Sequence, residues 1–130
     1  MKIALCVIAA TGLLAACAAN QETAAGPAQG AICFLPSDVA GWSTSGPSTF
    51  NIRTRKDEVF QAQMIPNCWD ADTTQQIAIV PRFSQRLCVG GDAELIVPSH
   101  SVGGPNRCRL DRVRKLTPEE VAALKPADRP

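Results

Sequence analysis

Beyond residue 17 the chain holds four cysteines, Cys33, Cys68, Cys88 and Cys108, separated by 35, 20 and 20 residues. Structural zinc sites draw on cysteines about two to four residues apart, and no two of these lie so close. An even set of widely spaced cysteines in a short chain reads as a disulfide framework, provided the chain matures in an oxidising compartment. Two disulfides then limit the fold to one whose strands or loops bring those four positions together in pairs.

The N-terminus supplies the compartment. Lys2 gives one positive charge, and Ile3 to Leu14 is apolar apart from Thr11 and Gly12. Ala15-Ala16 then precede Cys17, so a charged start, a short apolar middle and a small-residue exit follow the plan of a secretory signal peptide. The apolar run is at the lower limit for a membrane span and contains a glycine, which disfavours a retained transmembrane helix. Leu14-Ala15-Ala16-Cys17 resembles the bacterial lipobox, in which the cysteine thiol receives a diacylglycerol and becomes the mature N-terminus. That resemblance implies lipidation of Cys17 and an acyl anchor in a lipid membrane, since two or more acyl chains hold a protein stably where one does not. Ala18, rather than Asp, follows the cysteine, which implies export to the outer membrane with the domain facing the periplasm.

The expected organisation is a signal peptide over 1–16, a tether over 17–31, a domain over 32–125 and a tail over 126–130. Residues 18–31, AANQETAAGPAQGA, are small and polar, and such composition buries too little surface to offset chain entropy. A flexible segment of that length spans roughly 20 Å. Without Lys2 the 13 basic side chains become 12, against 12 acidic ones. This balance argues against a nucleic-acid partner. One local cluster departs from it: Arg107, Arg109, Arg112, Arg114 and Lys115 surround Asp111. The cluster is either a patch for lipid headgroups or an acidic partner, or, as the favoured reading, a solvated strand edge whose charges discourage aggregation.

Four cysteines allow three pairings, and spacing alone does not choose among them. The favoured one joins Cys33 to Cys108, tying the two ends of the domain, and Cys68 to Cys88, stapling a central strand pair. Each loop so closed contributes about 3 to 4 kcal/mol on the chain-entropy account.

Between the cysteines the pattern is mostly β. Residues 49–54, TFNIRT, and 59–65, VFQAQMI, alternate apolar and polar positions around a polar 55–58 loop, which predicts a hairpin. Residues 75–80 read as a strand ended by Pro81, and 86–89 and 93–97 as two strands around Gly90-Gly91-Asp92. A last strand begins at 107–110, and its alternation fails at Asp111-Arg112 before Val113, which predicts a bulge. Only the C-terminal part reads as helix: Thr117 as cap, Pro118 at the first helical position, Glu120 at the third, and Lys125-Pro126 as the end. Val121 and Leu124 are expected to lie against the sheet. The fold class is mainly β: a small antiparallel sheet or partly closed barrel with a short C-terminal helix, stapled by two disulfides.

Cys33-Phe34, the hairpin leading to Cys68, LCVGGD at 87–92 and CRLDRVRKLTPEEVAAL at 108–124 together resemble a family of short proteobacterial envelope proteins, the domain of unknown function 6491. The likeness spans Cys33 to Leu124. It implies the framework and brings with it no catalytic residue, cofactor or ligand.

No catalytic constellation rises above background. His100, the only histidine, sits in the Pro/Gly/Ser loop 97–105 with no positioned nucleophile beside it. Asp70-Ala71-Asp72 lacks the glycine and terminal glutamate of a calcium loop. Asp38 and Asp92 read as turn formers. The expectation is a non-enzymatic module that binds an envelope protein or glycan and needs no cofactor or metal. The alternatives are a tethered structural domain without a ligand and, lower, a periplasmic enzyme inhibitor. The inhibitor reading rests on Ser45-Gly46, with Phe50 where small lipoprotein inhibitors of lysozyme carry tyrosine. Trp69 is expected to pack on a disulfide, and Trp42 is either core or binding surface.

Overall fold

A computed structural model describes residues 31–65, 68, 70–99 and 102–130. Eight strands form in chain order: β1 (Cys33–Phe34), β2 (Val39–Ser45), β3 (Thr49–Thr54), β4 (Val59–Ile65), β5 (Ala78–Pro81), β6 (Leu87–Cys88), β7 (Ala93–Val97) and β8 (Asn106–Lys115). Six of them make a curled antiparallel half-barrel in the order β2-β3-β4-β8-β7-β5, and β1 pairs with β6 as a separate two-stranded ribbon. The helix α1 (Pro118–Ala123) follows β8, and one-turn 3-10 segments occupy Pro36–Asp38 and Pro126–Asp128.

The alternation expected from the sequence is what divides the sheet into two faces. Phe50 and Ile52 of β3, Phe60, Ala62 and Met64 of β4, Leu95 and Val97 of β7, and Leu110 of β8 all turn inward and are buried. Phe34 on the ribbon packs its ring 4.6 Å from that of Phe60, and its cross-strand partner Leu87 is buried as well. The ribbon therefore closes the concave side of the half-barrel. Each fully buried large apolar side chain contributes about 1.5–3 kcal/mol relative to exposure.

The predicted bulge lies where the alternation breaks. Gln61 pairs with Arg114 and Gln63 with Asp111, so Ala62 alone faces both Arg112 and Val113. Arg112 adopts a φ of 51°, and its N–H donates to the Asp111 carboxylate at 2.8 Å. The extra residue resets the parity of β8, so that Val113 stays in the core while Arg114 reaches the outer face beside Gln61.

Several expectations need correction. The disulfides are Cys33–Cys88 and Cys68–Cys108, not Cys33–Cys108 and Cys68–Cys88. The reason is topological: β1 lies beside β6, where Cys33 and Cys88 are direct partners, whereas Cys108 points into the core from β8 opposite Leu95 and meets Cys68. The strands flanking Gly90-Gly91 do not pair with each other, because β6 leaves with β1 while β7 joins β8. A Cβ on Gly91 would stand 2.9 Å from the Cys88 carbonyl oxygen, so this turn admits only glycine without rearrangement. Strand β5 starts at Ala78 rather than 75 and includes Pro81. Strand β8 is interior to the sheet, flanked by β4 and β7, so the arginine cluster is not a strand edge.

The capping box of α1 forms as expected, with Glu120 N–H donating to the Thr117 hydroxyl at 3.2 Å and Thr117 N–H donating to the Glu120 carboxylate at 2.8 Å. Yet α1 buries no residue, and Val121 and Leu124 stay half-exposed rather than lying under the sheet. The tail is not free either. It turns through Pro126–Asp128 and lies against β2 and β3.

Candidate functional site on the outer face of the sheet

Side chains opposite the core form the convex face, and the register lines them up across strands. From one edge to the other they are Gly41 and Ser43 on β2, Arg53 and Asn51 on β3, Gln61, Gln63 and Ile65 on β4, Arg114, Asp111, Arg109 and Arg107 on β8, Glu94 on β7, and Val80 on β5. Two parts of this face differ in character.

The first part spans β5, β7 and β8. A shallow groove of about 420 Å³ is lined by Ile65, Val80, Arg82, Glu94, Arg107 and Arg109, with Ala93 and Cys108 on its floor. Ile65 and Val80 are 48% and 46% exposed, and Phe83, next in the chain to Arg82, is 91% exposed. The cations are partnered: Arg107 with Glu94 at 3.1 Å, Arg109 with Asp92 at 3.2 Å and with Asp111 at 3.8 Å, and Arg82 with Asp92 at 3.4 Å. Three guanidinium groups thus meet three carboxylates. Such half-exposed pairs add about 0–1 kcal/mol each to stability, and their larger effect is to leave the groove near neutral.

The arginine cluster read from the sequence is therefore split. Arg107 and Arg109 line the groove. Arg114 donates to Glu120 at 2.7 Å and to the Gln61 side-chain carbonyl at 2.9 Å, which fastens α1 to the sheet. Lys115 pairs with Glu58 at 2.5 Å, tying the β3–β4 hairpin to β8. Arg112 stands exposed at the bulge with no ion pair among the described residues. Reading the sequence missed Arg82, which lines the groove from the residue after β5 and not through the cluster.

The second part spans β2 and β3. Asn51 is fully buried although it points outward. What covers it is the C-terminal tail: the Asn51 amide donates to the Asp128 carbonyl at 2.9 Å, the Ser43 hydroxyl donates to the same carbonyl, and the Arg53 guanidinium donates to the Pro130 carbonyl at 3.0 Å. The Asn51 side-chain carbonyl accepts from Gln61 at 3.0 Å, and Gln61 in turn accepts from Arg114. One polar chain thus runs from the tail across three strands to α1. The Glu120 carboxylate at its end is held below the usual carboxylate range, first by the Thr117 N–H and then by Arg114.

Cys17, the signal peptide, Trp69 and His100 lie outside the described residues, as does the tether except for Ala31, which is exposed. Trp42 faces inward opposite Ile52, packs on the core and donates its indole N–H to the Ala71 carbonyl at 3.2 Å. Phe50 is buried at the centre of the core, so the Ser45-Gly46 turn presents no aromatic side chain from that position. Asp70 takes a φ of 65° and its carbonyl accepts from Thr73 and Thr74, a turn arrangement. Asp38 closes the one-turn segment after β1, accepting from the Leu35 N–H.

The match to a family model described as "Family of unknown function (DUF6491)" covers residues 1–130. No curated protein and no solved structure matches the chain.

Proposed function

The chain belongs to the DUF6491 family, and from that premise we propose that it is a lipid-anchored, non-enzymatic binding module of the bacterial outer membrane. Lipidated Cys17 holds it in the membrane, residues 17–31 tether it, and the disulfide-stapled half-barrel faces the periplasm. The observation that carries the reading is the Leu14-Ala15-Ala16-Cys17 exit behind a short apolar run, in a chain whose next four cysteines close two disulfides. Such bridges persist in exported proteins and not in the cytosol. The family match runs over residues 1–130, the N-terminal apolar run as well as the domain.

The contact surface in this reading is the groove across β5, β7 and β8, and its partner is a protein. Exposed Ile65 and Val80 beside three arginines line the groove, and exposed Phe83 follows Arg82 in the chain, the aromatic, apolar and arginine content typical of protein interfaces. Near-complete charge pairing disfavours an anionic lipid or a nucleic acid, which would need a surplus of positive charge. The pairing also favours the second reading, a stable tethered domain without a ligand.

Fractionation of cells making the full chain tests the anchor: wild type is expected in the outer membrane and Cys17→Ala in the periplasm or unprocessed. A photocrosslinking residue placed at Phe83 tests the surface. A discrete adduct to one envelope protein, lost in Arg82→Glu with Arg109→Glu, supports the module. Absence of any adduct, with the domain folded and anchored, leaves the structural reading.

A further inference from the structure

The trough occupied by the C-terminal tail has the build of a recognition site. Its donors are Ser43, Asn51 and Arg53, and what they take from the tail is main-chain oxygen, that of Asp128 and of Pro130, while Asn51 also donates to the Ser45 hydroxyl and Arg53 to the Asp57 carboxylate. Gly41 forms its end wall: a Cβ there would stand 3.4 Å from the Pro130 carbonyl carbon and 3.3 Å from the Arg53 guanidinium. A missing side chain at the point of closest approach, beside a buried amide aimed at a backbone carbonyl, lets the surface receive the main chain of the one-turn segment Pro126–Asp128 and the residues after it.

The segment that fills the trough is fastened to it by the three hydrogen bonds from Ser43, Asn51 and Arg53. From Thr117 onward no residue is buried, so the arm brings little hydrophobic free energy to its docking, and segments held by few apolar contacts open first. The arm is instead braced internally: Arg129 donates to the Ala122 carbonyl at 2.8 Å and the Leu124 carbonyl at 3.1 Å, folding the segment back on the end of α1. The trough's own groups cannot stay buried without a partner, since an unsatisfied buried amide is costly. When the arm lifts, Asn51 and Ser43 become donors awaiting another strand of main chain.

We propose that this trough is a peptide-binding site, that residues 126–130 are its resident occupant, and that it takes the same segment from a second copy of the chain. The second copy is the occupant argued for because every contact made within one chain is available unchanged between two, and exchange of an identical element is a low-cost route to association. The proposal stands independently of the groove on β5, β7 and β8 and of the anchor.

The test uses a fluorescent synthetic peptide with the sequence of residues 117–130. Three proteins are titrated: the full chain, the chain ending at Lys125, and that shortened chain carrying Asn51→Leu, each checked for two intact disulfides and β circular dichroism. Saturable binding to the shortened chain is expected, at least tenfold tighter than to the full chain, whose own tail competes, and at least tenfold tighter than to the Asn51→Leu form. Failure of the folded shortened chain to bind, or binding indifferent to Asn51→Leu, overturns the proposal. If shortening prevents folding, amide hydrogen exchange is read on the full chain instead: excess peptide should speed exchange at 127–129, and unchanged exchange at millimolar peptide refutes the site.

Discussion

The side-chain amide of Asn51, fully buried on β3, donates to the backbone carbonyl of Asp128, 77 residues further along the chain. Its carbonyl at the same time accepts from Gln61 on β4. One asparagine therefore joins the C-terminal arm to the middle of the sheet. Replacing it by leucine leaves the Gln61 amide without its acceptor on β3 and the Asp128 carbonyl with the Ser43 hydroxyl as its remaining donor, which costs about 2 kcal/mol. Urea unfolding should show a lowered midpoint, and Gly41→Val should loosen the same contact sterically, read as faster amide exchange at 127–129.

The disulfides close loops of 55 and 40 residues. On the chain-entropy account each contributes about 4 kcal/mol. Non-reducing peptide mapping should return Cys33 with Cys88 and Cys68 with Cys108. The Cys68→Ser, Cys108→Ser double variant is expected to lose about 4 kcal/mol, a large share of the roughly 5–15 kcal/mol that small domains carry in total.

Arg112 holds a φ of 51° at the bulge, a conformation that costs a non-glycine residue about 1 kcal/mol. Arg112→Gly should therefore raise stability by up to about 1 kcal/mol, since no ion pair is lost among the described residues. Arg112→Val, β-branched in the same conformation, should lower it. Thermal unfolding of the pair gives opposite shifts if the bulge is as described and equal shifts if it is not.

Acid should loosen the C-terminal arm. The folded Glu120 carboxylate is held below its ordinary range by the Thr117 N–H and by Arg114, so protons bind it more weakly in the folded arm than in the released one. Its contribution is present above the ordinary carboxylate pKa and is lost as pH falls through the lowered folded value. Amide exchange at 117–124 should rise over that acid window in wild type. In Glu120→Gln it should already be raised at neutral pH, with no step there.

Much of this fold is legible in the sequence because it is written in side-chain parity. TFNIRT, VFQAQMI and AELIV form β3, β4 and β7 at the predicted bounds, and the break in alternation at Asp111-Arg112 coincides with the bulge in β8. Strand β2 is not legible. In Val39–Ser45 the inward position is held by Trp42 between small residues and a glycine, so no apolar alternation marks it. The disulfide pairing escapes a linear reading because it depends on which strands neighbour which, and the ribbon of β1 and β6 is a tertiary fact with no local signal. The docked tail escapes for a different reason: the trough reads its backbone carbonyls, and carbonyls are the same in every sequence. Arg107 and Arg109 of the groove are visible as a charge cluster, whereas Arg82 follows β5 and Asp92 comes from the turn before β7, both remote from that cluster in the sequence.

The central claim is an anchored, doubly bridged module, and the intact mass of the protein extracted from its own membranes, with peptide mapping before and after reduction, tests it most directly. The account predicts a chain beginning at an acylated Cys17, with Cys33 joined to Cys88, Cys68 joined to Cys108, and four thiols released only by reductant. A mass with Cys17 unacylated, or four free thiols in the native protein, would contradict it.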